Sequence, residues 1–358
     1  MNRIRANSLE FAYLEEGDGP LVVLLHGFPD TAHTWSHQLP AVAAAGYRAV
    51  APYLRGYPPT EIPKDGFFDR GTLATDIAEL IRALGGGGPV HLIGQDWGAS
   101  ITYSVLAAFP ELIRRAVVMA VPHPARTATS LLDPKQVHRS FHWWFFQLPN
   151  LPERALAAND FAFVDFLWEY WSSAGYRDAA HIAEIKRMLA GSGVLAATLG
   201  YYRAMFDARN IDPKLESLRP LIERPIRVPT LALCGGDDLR AELMSDQGQY
   251  FTGPYRYEVV AGAGHFLHRE KPAEVTRLIV EWLAQRWGSL WGLLPERADP
   301  QPTVPTWPEF LRGCVRYRQS LDEQLPPARE PLGGDLLRLP GGVGVLGRRR
   351  EMLCLEDS

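Results

Sequence analysis

The stretch LIGQDWGAS, residues 92–100, decides how the rest of the chain is interpreted. A short apolar run ends in Gly94, and Gly98 opens a segment with helical spacing. This is the outline of a nucleophile elbow, in which a strained turn between a strand and a helix presents one side chain to a pocket. That position usually carries serine, whereas here it carries Asp96. The chemistry open to a carboxylate at this position therefore becomes the central question.

The composition is that of an ordinary globular protein. Of the 358 residues, 46% are hydrophobic and 22% charged, with a formal net charge of -4. The two signs of charge are interspersed, which indicates neither nucleic-acid binding nor attraction to an anionic membrane. The N-terminus lacks the apolar segment of a signal peptide, and no stretch reaches the roughly 18 apolar residues of a membrane span. The three cysteines have no metal-binding spacing and favour a reducing compartment, so we expect a soluble, cytoplasmic protein.

Short apolar runs alternate with helical patterns in the first third of the chain. Residues 20–27, 47–52, 89–94 and 115–122 are continuous apolar runs, typical of strands buried on both faces of a parallel sheet. Between them, TLATDIAELIRAL and WGASITYSVLAAF have apolar residues three and four positions apart. This alternation predicts an α/β fold with a mostly parallel, doubly wound sheet.

An aromatic-rich helical segment interrupts this pattern between residues 123 and 227. The strand pattern then resumes, and a final amphipathic helix closes it. We therefore expect a core of residues 1–122 and 228–287, with residues 123–227 forming a helical cap domain inserted after the sixth strand. Such a cap would cover the carboxyl ends of the strands, where open α/β sheets bind their ligands.

The last part of the sequence, residues 288–358, differs in composition from the rest. It is rich in proline, glycine and arginine and has no sustained period. We expect a poorly ordered extension that takes no part in the chemistry.

Three polar residues each follow a predicted strand. They are Asp96, Asp238 and His265, and nucleophile, acid, histidine is the chain order of the α/β-hydrolase triad. Each has an ordinary explanation on its own, since an aspartate before a helix is commonly an N-cap. Their joint position at strand ends favours a catalytic set. Asp237 competes for the acid role, and the usual residue count from Gly235 favours Asp238.

A fourth element, HGFP at residues 26–29, ends the first core strand. In this fold the loop supplies one backbone N–H of the oxyanion hole, here that of Phe28. The second N–H comes from the residue after the nucleophile, which is Trp97. A tight turn is the ordinary explanation of HGFP, and it is compatible with this role.

The carboxylate at the elbow points to alkyl rather than acyl transfer. Attack on an ester or amide carbonyl would give an anhydride, whereas attack on a saturated carbon with a good leaving group gives a stable alkyl ester. Water activated by His265, which Asp238 orients, would then attack the carbonyl of the modified Asp96. A strained epoxide oxygen and a halide are leaving groups that suit the first step.

From roughly residue 8 to 287 the sequence resembles the α/β-hydrolase-fold epoxide hydrolases. The matching stretches are HGFP, APYLRGY, GQDWGAS, FFQLPNLPE, GYYR, CGGDD and GAGH. The resemblance implies two cap residues that hydrogen-bond the epoxide oxygen. One maps by GYYR onto Tyr202, with Tyr201 as the alternative register. The other maps onto His142, five residues before the glutamine of FFQLP.

A histidine at position 142 departs from the usual pair of tyrosines. A branch of the family similar to the mycobacterial EphF type and to the Cif-like bacterial enzymes carries such a histidine–tyrosine pair. A histidine ionises near pH 6.5, so His142 is expected to become a cation in mild acid. The alternative is that His142 only packs among the cap aromatics.

Two other functions remain open. The chain also resembles the haloalkane dehalogenases in fold and in the Asp96–Trp97 pair. Those enzymes typically use an asparagine or another tryptophan as second halide donor. The asparagine would occupy the position that Phe28 has here, and phenylalanine has no such donor. The third function is that of a non-catalytic binding member of the fold, which a complete triad argues against.

The aromatic cap predicts an apolar route to the site. We expect Trp97, Trp143 and Phe28 to contact a lipophilic aliphatic or aryl epoxide, with water as co-substrate. The reaction requires neither a metal nor an organic cofactor. No nucleic acid or membrane partner is expected, and a homodimer is the one assembly considered.

Overall fold

The computed structural model of the chain describes residues 1–85 and 87–285. Within them, the centre of the molecule is a sheet of eight strands. The strands are β1 (Asn2–Ala6), β2 (Leu9–Glu16), β3 (Leu21–Leu25), β4 (Arg48–Pro52), β5 (Val90–Gln95), β6 (Ile113–Met119), β7 (Thr230–Gly235) and β8 (Tyr255–Val260). Their order across the sheet is β1-β2-β4-β3-β5-β6-β7-β8.

The sheet is parallel from β4 to β8, and only the β1–β2 and β2–β4 pairs are antiparallel. Every residue of β3, β5 and β7 is buried, as expected for strands covered on both faces. The predicted α/β-hydrolase fold, with a mostly parallel sheet, is confirmed. All parallel strands end at the same edge of the sheet, so the loops after β3, β5, β7 and β8 meet there.

Six of the described helices belong to segments outside the predicted cap. They are α1 (Gln38–Ala44), α2 (Arg70–Leu84), α3 (Trp97–Ala108), α11 (Ala241–Ser245), α12 (Leu267–Glu270) and α13 (Pro272–Ala284). Asp69 is the N-cap of α2, and its side chain accepts hydrogen bonds from the N–H groups of Gly71 and Thr72. This is the usual way in which an aspartate satisfies the free donors at a helix start.

Seven further helices of the described chain lie between β6 and β7. They are α4 (Pro124–Ser130), α5 (Pro134–Arg139), α6 (Phe141–Phe145), α7 (Leu151–Ala157), α8 (Ala162–Trp171), α9 (Ala179–Leu189) and α10 (Val194–Phe206). The helical insertion after the sixth strand is therefore present. The domain boundaries at residues 122, 227 and 287 remain predictions, and the extension at 288–358 lies outside the described residues.

The first two strands form a hairpin that the sequence interpretation did not include. Asn7 and Ser8 join β1 to β2, with φ values of 43° and 65°. Two consecutive positive φ values are typical of the two-residue turns that fit the twist of a hairpin. Across the same described part of the chain, no helix is long and apolar enough to cross a membrane.

Candidate active site

The elbow places Asp96 between β5 and α3 in a strained conformation. Its φ is 52° and its ψ is -119°, a combination that costs a residue with a Cβ about 1–3 kcal/mol. Asp96 occupies the N-cap position of α3, yet its carboxylate makes no capping hydrogen bond. The ordinary explanation of this aspartate as an N-cap therefore fails, and the side chain is free to face the cleft.

The glycines around Asp96 are required because there is no room for a side chain. A Cβ built on Gly98 would lie 2.1 Å from the Leu25 carbonyl oxygen, which shows how closely α3 approaches β3. A Cβ built on Gly27 would lie 2.3 Å from the Asp96 Cβ. The HGFP loop and the elbow thus pack directly against each other.

The structure brings the three predicted triad residues together. His265 Nε2 lies 3.4 Å from Asp96 Oδ2, and His265 Nδ1 lies 3.1 Å from Asp238 Oδ2. The Asp238 side chain is only 1% exposed, whereas Asp237 is exposed to solvent. Asp238, and not Asp237, therefore has the position of an orienting acid.

The His265 imidazole is held in its charged form. Burial alone would lower its pKa, but the charge and hydrogen bond of Asp238, followed by those of Asp96, raise it to about 9. His265 is therefore protonated at neutral pH. In this state the ring cannot accept a proton from water.

Backbone hydrogen bonds to Glu270 fix the loop that carries His265. The Glu270 carboxylate accepts the N–H groups of Gly264 at 2.8 Å and Phe266 at 3.0 Å, on either side of His265. The His265 N–H itself donates to the Trp171 carbonyl at 2.8 Å. Glu270 was missed in the sequence because a glutamate near a helix start has many ordinary roles.

The predicted oxyanion donor from the HGFP loop points at the elbow. The Phe28 N–H donates to Asp96 Oδ1 over 2.8 Å. Asp96 Oδ2 faces His265, so the two carboxylate oxygens have different surroundings. A matching contact of the Trp97 N–H remains a prediction.

The two adjacent tyrosines of α10 have different partners. The Tyr201 hydroxyl donates to the Arg55 carbonyl at 2.7 Å, so its proton is already engaged. Tyr202 lies with its ring 5.2 Å from Trp97 and 5.4 Å from Phe28. Burial raises the Tyr202 pKa well above its usual value, and the nearby charge of Asp96 raises it further. Tyr202 is thus the protonated hydroxyl beside Asp96.

His142, on α6, is buried beside the same group of residues. Its ring centroid lies 5.6 Å from that of Tyr202, and His142 lines a small pocket together with Asp96 and His265. Burial, followed by the charges of Arg240 and His265, lowers its pKa well below the usual value. The expectation that His142 becomes a cation in mild acid is therefore wrong. The ring stays neutral and retains one N–H donor.

The main cleft lies beside Asp96 and, counted together with the space open to solvent, spans about 1140 Å³. Most of its surface is apolar, and its lining includes Trp97, Val121, Trp143, Tyr202, Met205 and Leu215. The ring of Phe28, by contrast, is fully buried and packs against Tyr202 and Phe146, so its contact with substrate remains a prediction. Among the described residues, no group of three or more His, Cys, Asp or Glu side chains could hold a metal ion.

Arg240 is a further charged residue at the site that the sequence interpretation missed. It follows Asp238 by two positions and lines both the main cleft and the small pocket. Its guanidinium carbon lies 4.5 Å from the centroid of the Trp143 ring. The CGGDD match ended one residue before Leu239, so no sequence signal separated Arg240 from ordinary surface arginines.

The fold and the match to a family model define the class of protein. Residues 20–272 match the family described as alpha/beta hydrolase fold. The chain belongs to this family, and it is a hydrolase.

Within the family, the chain is similar to proteins named as epoxide hydrolases. It is 30% identical to Epoxide hydrolase 3 of Xenopus tropicalis, over 79% of this chain and 77% of the relative. It is 28% identical to Epoxide hydrolase A of Mycobacterium tuberculosis, over 78% of this chain and 96% of the relative. The crystal structure of a Bacillus megaterium epoxide hydrolase in complex with an inhibitor matches with a TM-score of 0.68 at 25% identity, covering 79% of this chain and 100% of that one.

Proposed function

We propose that the protein converts an epoxide to a vicinal diol through a covalent ester on Asp96. The observation that carries the proposal is the carboxylate at the elbow, held between the Phe28 N–H and the His265–Asp238 pair. The names of the relatives agree with this reaction. The Asp96 ester is the part of the proposal that rests on chemistry and geometry alone.

In the first step an Asp96 oxygen attacks an epoxide carbon, and the carbon–oxygen bond of the ring breaks. Tyr202 and His142 flank Asp96 from the cap helices, and each has a proton to donate to the departing oxygen. The alkoxide takes a proton from the Tyr202 hydroxyl. General acids placed in this way accelerate proton transfers by about 10²–10⁴-fold.

Formation of the ester changes the charge state of His265. Asp96 loses its negative charge, so one of the two carboxylates that raise the His265 pKa is removed. His265 then releases its proton to the Tyr202 oxygen. This restores the hydroxyl that had given its proton to the alkoxide. His265 becomes a neutral base at the stage of the cycle at which a base is needed.

In the second step His265 takes a proton from water, and the resulting hydroxide attacks the carbonyl carbon of the Asp96 ester. The charge that develops on Oδ1 is stabilised by the Phe28 N–H, and we expect the Trp97 N–H to contribute. The ester bond to the substrate breaks, and the protonated His265 supplies the proton of the new diol hydroxyl. The second proton of the water returns His265 to its charged form beside the regenerated Asp96 carboxylate.

The surroundings of Asp96 favour an epoxide over a haloalkane. A halide needs N–H donors and no proton, whereas an epoxide oxygen needs a proton, and Tyr202 and His142 both carry one. The Phe28 position, where many dehalogenases have an asparagine, holds a buried ring without a donor. We therefore retain the haloalkane reaction only as the comparison in the experiment below.

The remaining predictions belong to the same proposal. The apolar main cleft favours a lipophilic epoxide, bounded by a cap domain at residues 123–227 over a core of 1–122 and 228–287. Cys234 is buried and unpaired, and together with the cysteine spacing it supports a cytoplasmic location. Light scattering of the purified full chain would distinguish a homodimer from a monomer.

The test is covalent trapping in a His265→Gln variant, which keeps the nucleophile and removes the base. After mixing with an epoxide, the intact mass should rise by the whole mass of the epoxide, because ring opening expels no leaving group. With a haloalkane, the intact mass would rise by the mass of the haloalkane without its halogen. Peptide mapping should place the adduct on Asp96.

The control is the double variant Asp96→Asn, His265→Gln, which should stay unmodified. A panel of epoxides that leaves the His265→Gln variant unmodified, while a haloalkane adds to Asp96, would replace the epoxide reaction by the dehalogenase one. Modification of any residue other than 96 would overturn the proposed nucleophile.

A further inference from the structure

Arg240 is a buried guanidinium that faces the main cleft without a carboxylate partner. The residue is only 8% exposed, and it lines the cleft together with Asp96 and Tyr202. Within the described chain, it forms no ion pair within 4.0 Å and its guanidinium donates no hydrogen bond; its one close partner is the Trp143 ring. The backbone N–H of Arg240, by contrast, donates to Asp238 at 2.7 Å.

Two of the three other buried arginines in the described residues pair with carboxylates, and the third, Arg115, does not line the main cleft. Arg55, for example, is 2% exposed and pairs with Asp76 at 2.6 Å and with Asp65 at 2.8 Å. Arg269 pairs with Asp178 at 2.5 Å and also donates to backbone carbonyls. Burying a charge is costly unless it is paired, and a guanidinium cannot escape the cost by losing its proton. Arg240 therefore lacks the carboxylate partner that a buried guanidinium requires.

The electrostatics agree with this geometry. Burial lowers the Arg240 pKa, and the charges of Asp238 and Asp96 oppose that change without reversing it. Both carboxylates already face His265. The donors of the guanidinium fork are thus left for a group that enters the cleft.

We propose that Arg240 binds the carboxylate of the substrate, so that the substrate class is an epoxide with a carboxylate a few bonds from the ring. That the ligand is an epoxide rests on the proposed function, whereas the anion site is inferred from Arg240 alone. A planar guanidinium matches a carboxylate with two parallel hydrogen bonds. The apolar lining of the main cleft receives the rest of the molecule, which makes the ligand amphiphilic.

The other cations of the cleft favour a singly charged ligand. Arg70 pairs with Glu223 at 3.0 Å, and Arg219 pairs with Glu216 at 3.0 Å. Arg240 is then the one cleft-lining arginine in the described residues without a carboxylate partner. One free guanidinium balances one carboxylate, whereas a phosphate dianion would be left with unbalanced charge.

A competing role for Arg240 is that of a fixed counter-charge to Asp96 and Asp238. That role would affect charged and neutral substrates to the same extent. The binding of a carboxylate affects only the charged ones. The two roles are therefore separated by comparing matched ligands that differ only in charge.

The first experiment measures binding without turnover. Calorimetric titration of the full chain with hexanoate and with hexanamide should show hexanoate bound at least about tenfold more tightly, as charge-assisted hydrogen bonds imply. Arg240→Gln should abolish the preference and Arg240→Lys should retain part of it. Arg219→Gln, which removes a paired guanidinium from the same cleft, should leave it intact. Equal affinities of the wild-type chain for the two ligands would overturn the proposal, and this result does not depend on any variant folding.

The second experiment measures turnover of an epoxide bearing a carboxymethyl group and of the matching amide. The ratio of their kcat/KM values should favour the acid and should fall at least about tenfold in Arg240→Gln, mainly through KM. An equal fall for both substrates would assign Arg240 the counter-charge role and overturn the proposal. Absence of hydrolysis of every epoxide would contradict the proposed function alone, since the calorimetric preference for hexanoate would still establish the anion site.

Discussion

At the scale of single residues, the proposed mechanism depends on the Asp96–His265 pair. The His265 pKa of about 9 depends on two carboxylates, and formation of the proposed Asp96 ester would neutralise one of them. We therefore propose that the imidazole is charged before substrate binds and neutral once the ester has formed.

The first prediction concerns this coupling. Asp96→Asn should lower the His265 pKa below the wild-type value of about 9, because the charge of Asp96 and its hydrogen bond are removed. Titration of the histidine ring signals by NMR measures it directly. Asp237→Asn, which removes an exposed carboxylate next to Asp238, should leave the His265 pKa unchanged. An unaltered pKa in Asp96→Asn would mean that Asp96 does not control this base.

The second prediction concerns His142. His142→Phe removes a donor from the small pocket and should slow ring opening by about 10–100-fold, whereas His142→Tyr should restore most of the rate. The rate of adduct formation in the His265→Gln background isolates this step. Because burial keeps His142 neutral, His142→Tyr should not alter the acidic limb of the rate profile. If the His142→Phe, His265→Gln protein formed the adduct as fast as His265→Gln alone, His142 would have only a packing role.

At the scale of elements, the elbow depends on contacts between loops that are far apart in sequence. Gly27 follows β3, and its Cα faces Asp96 after β5 so closely that any side chain would collide. The Phe28 N–H can reach Oδ1 only because of this close approach. The HGFP loop and the elbow therefore act as one unit.

The third prediction follows from this packing. Gly27→Ala places a Cβ 2.3 Å from the Asp96 Cβ, so the proposed nucleophile must shift and kcat/KM should fall by about 100-fold. Gly88→Ala, where an added Cβ meets nothing within 4 Å, should leave kcat/KM unchanged. Circular dichroism and thermal unfolding separate a local shift from loss of the fold. Wild-type kcat/KM in a folded Gly27→Ala protein would contradict the proposed contact.

The elements that the sequence predicted are those whose pattern is local. Continuous apolar runs identified the central parallel strands because those strands are buried on both faces. The β1–β2 hairpin was missed because β1 lies at the edge, where four of its five residues are not buried, leaving only a weak pattern. The central strands could therefore be predicted from the sequence, whereas the hairpin at the exposed edge of the sheet could not.

The site was predictable only in part, for a related reason. Asp96, Asp238 and His265 stand at strand ends, which topology alone gathers at one edge of the sheet. The meeting of α6 with α10, which places His142 beside Tyr202, depends on packing within the insertion. The carboxylate contacts of Glu270 and the unpaired state of Arg240 arise from three-dimensional contacts that no spacing encodes.

At the scale of the whole molecule, a set of buried histidines controls stability in acid. Burial lowers the pKa values of four of them to between about 3 and about 4; these are His26, His91, His123 and His268. In the unfolded chain each would titrate near 6.5. Below that pH the unfolded state binds more protons than the folded state, so the free energy of unfolding decreases as the pH falls.

The fourth prediction quantifies this effect. Between about pH 6.5 and about pH 4, each such histidine should cost about 1.4 kcal/mol of stability per pH unit. His265 acts in the opposite sense: its contribution is complete below about 6.5 and is lost as the pH rises through about 9. Urea unfolding across this range gives the slope. His91→Asn should reduce the slope of unfolding free energy against pH by about one proton. Substitution of the exposed His37 by Asn is the control and should not reduce the slope. Equal slopes in the two variants would contradict the account.

The most direct measurement is a single turnover with excess enzyme in water enriched in the heavy oxygen isotope. If water cleaves an ester on Asp96, the first cycle places the label in the peptide that contains residue 96, and the diol leaves without it. Asp96→Asn in a sample free of deamidation should show neither turnover nor label. Isotope found only in the diol after that first cycle would mean that water attacks the epoxide directly, and it would contradict the covalent mechanism.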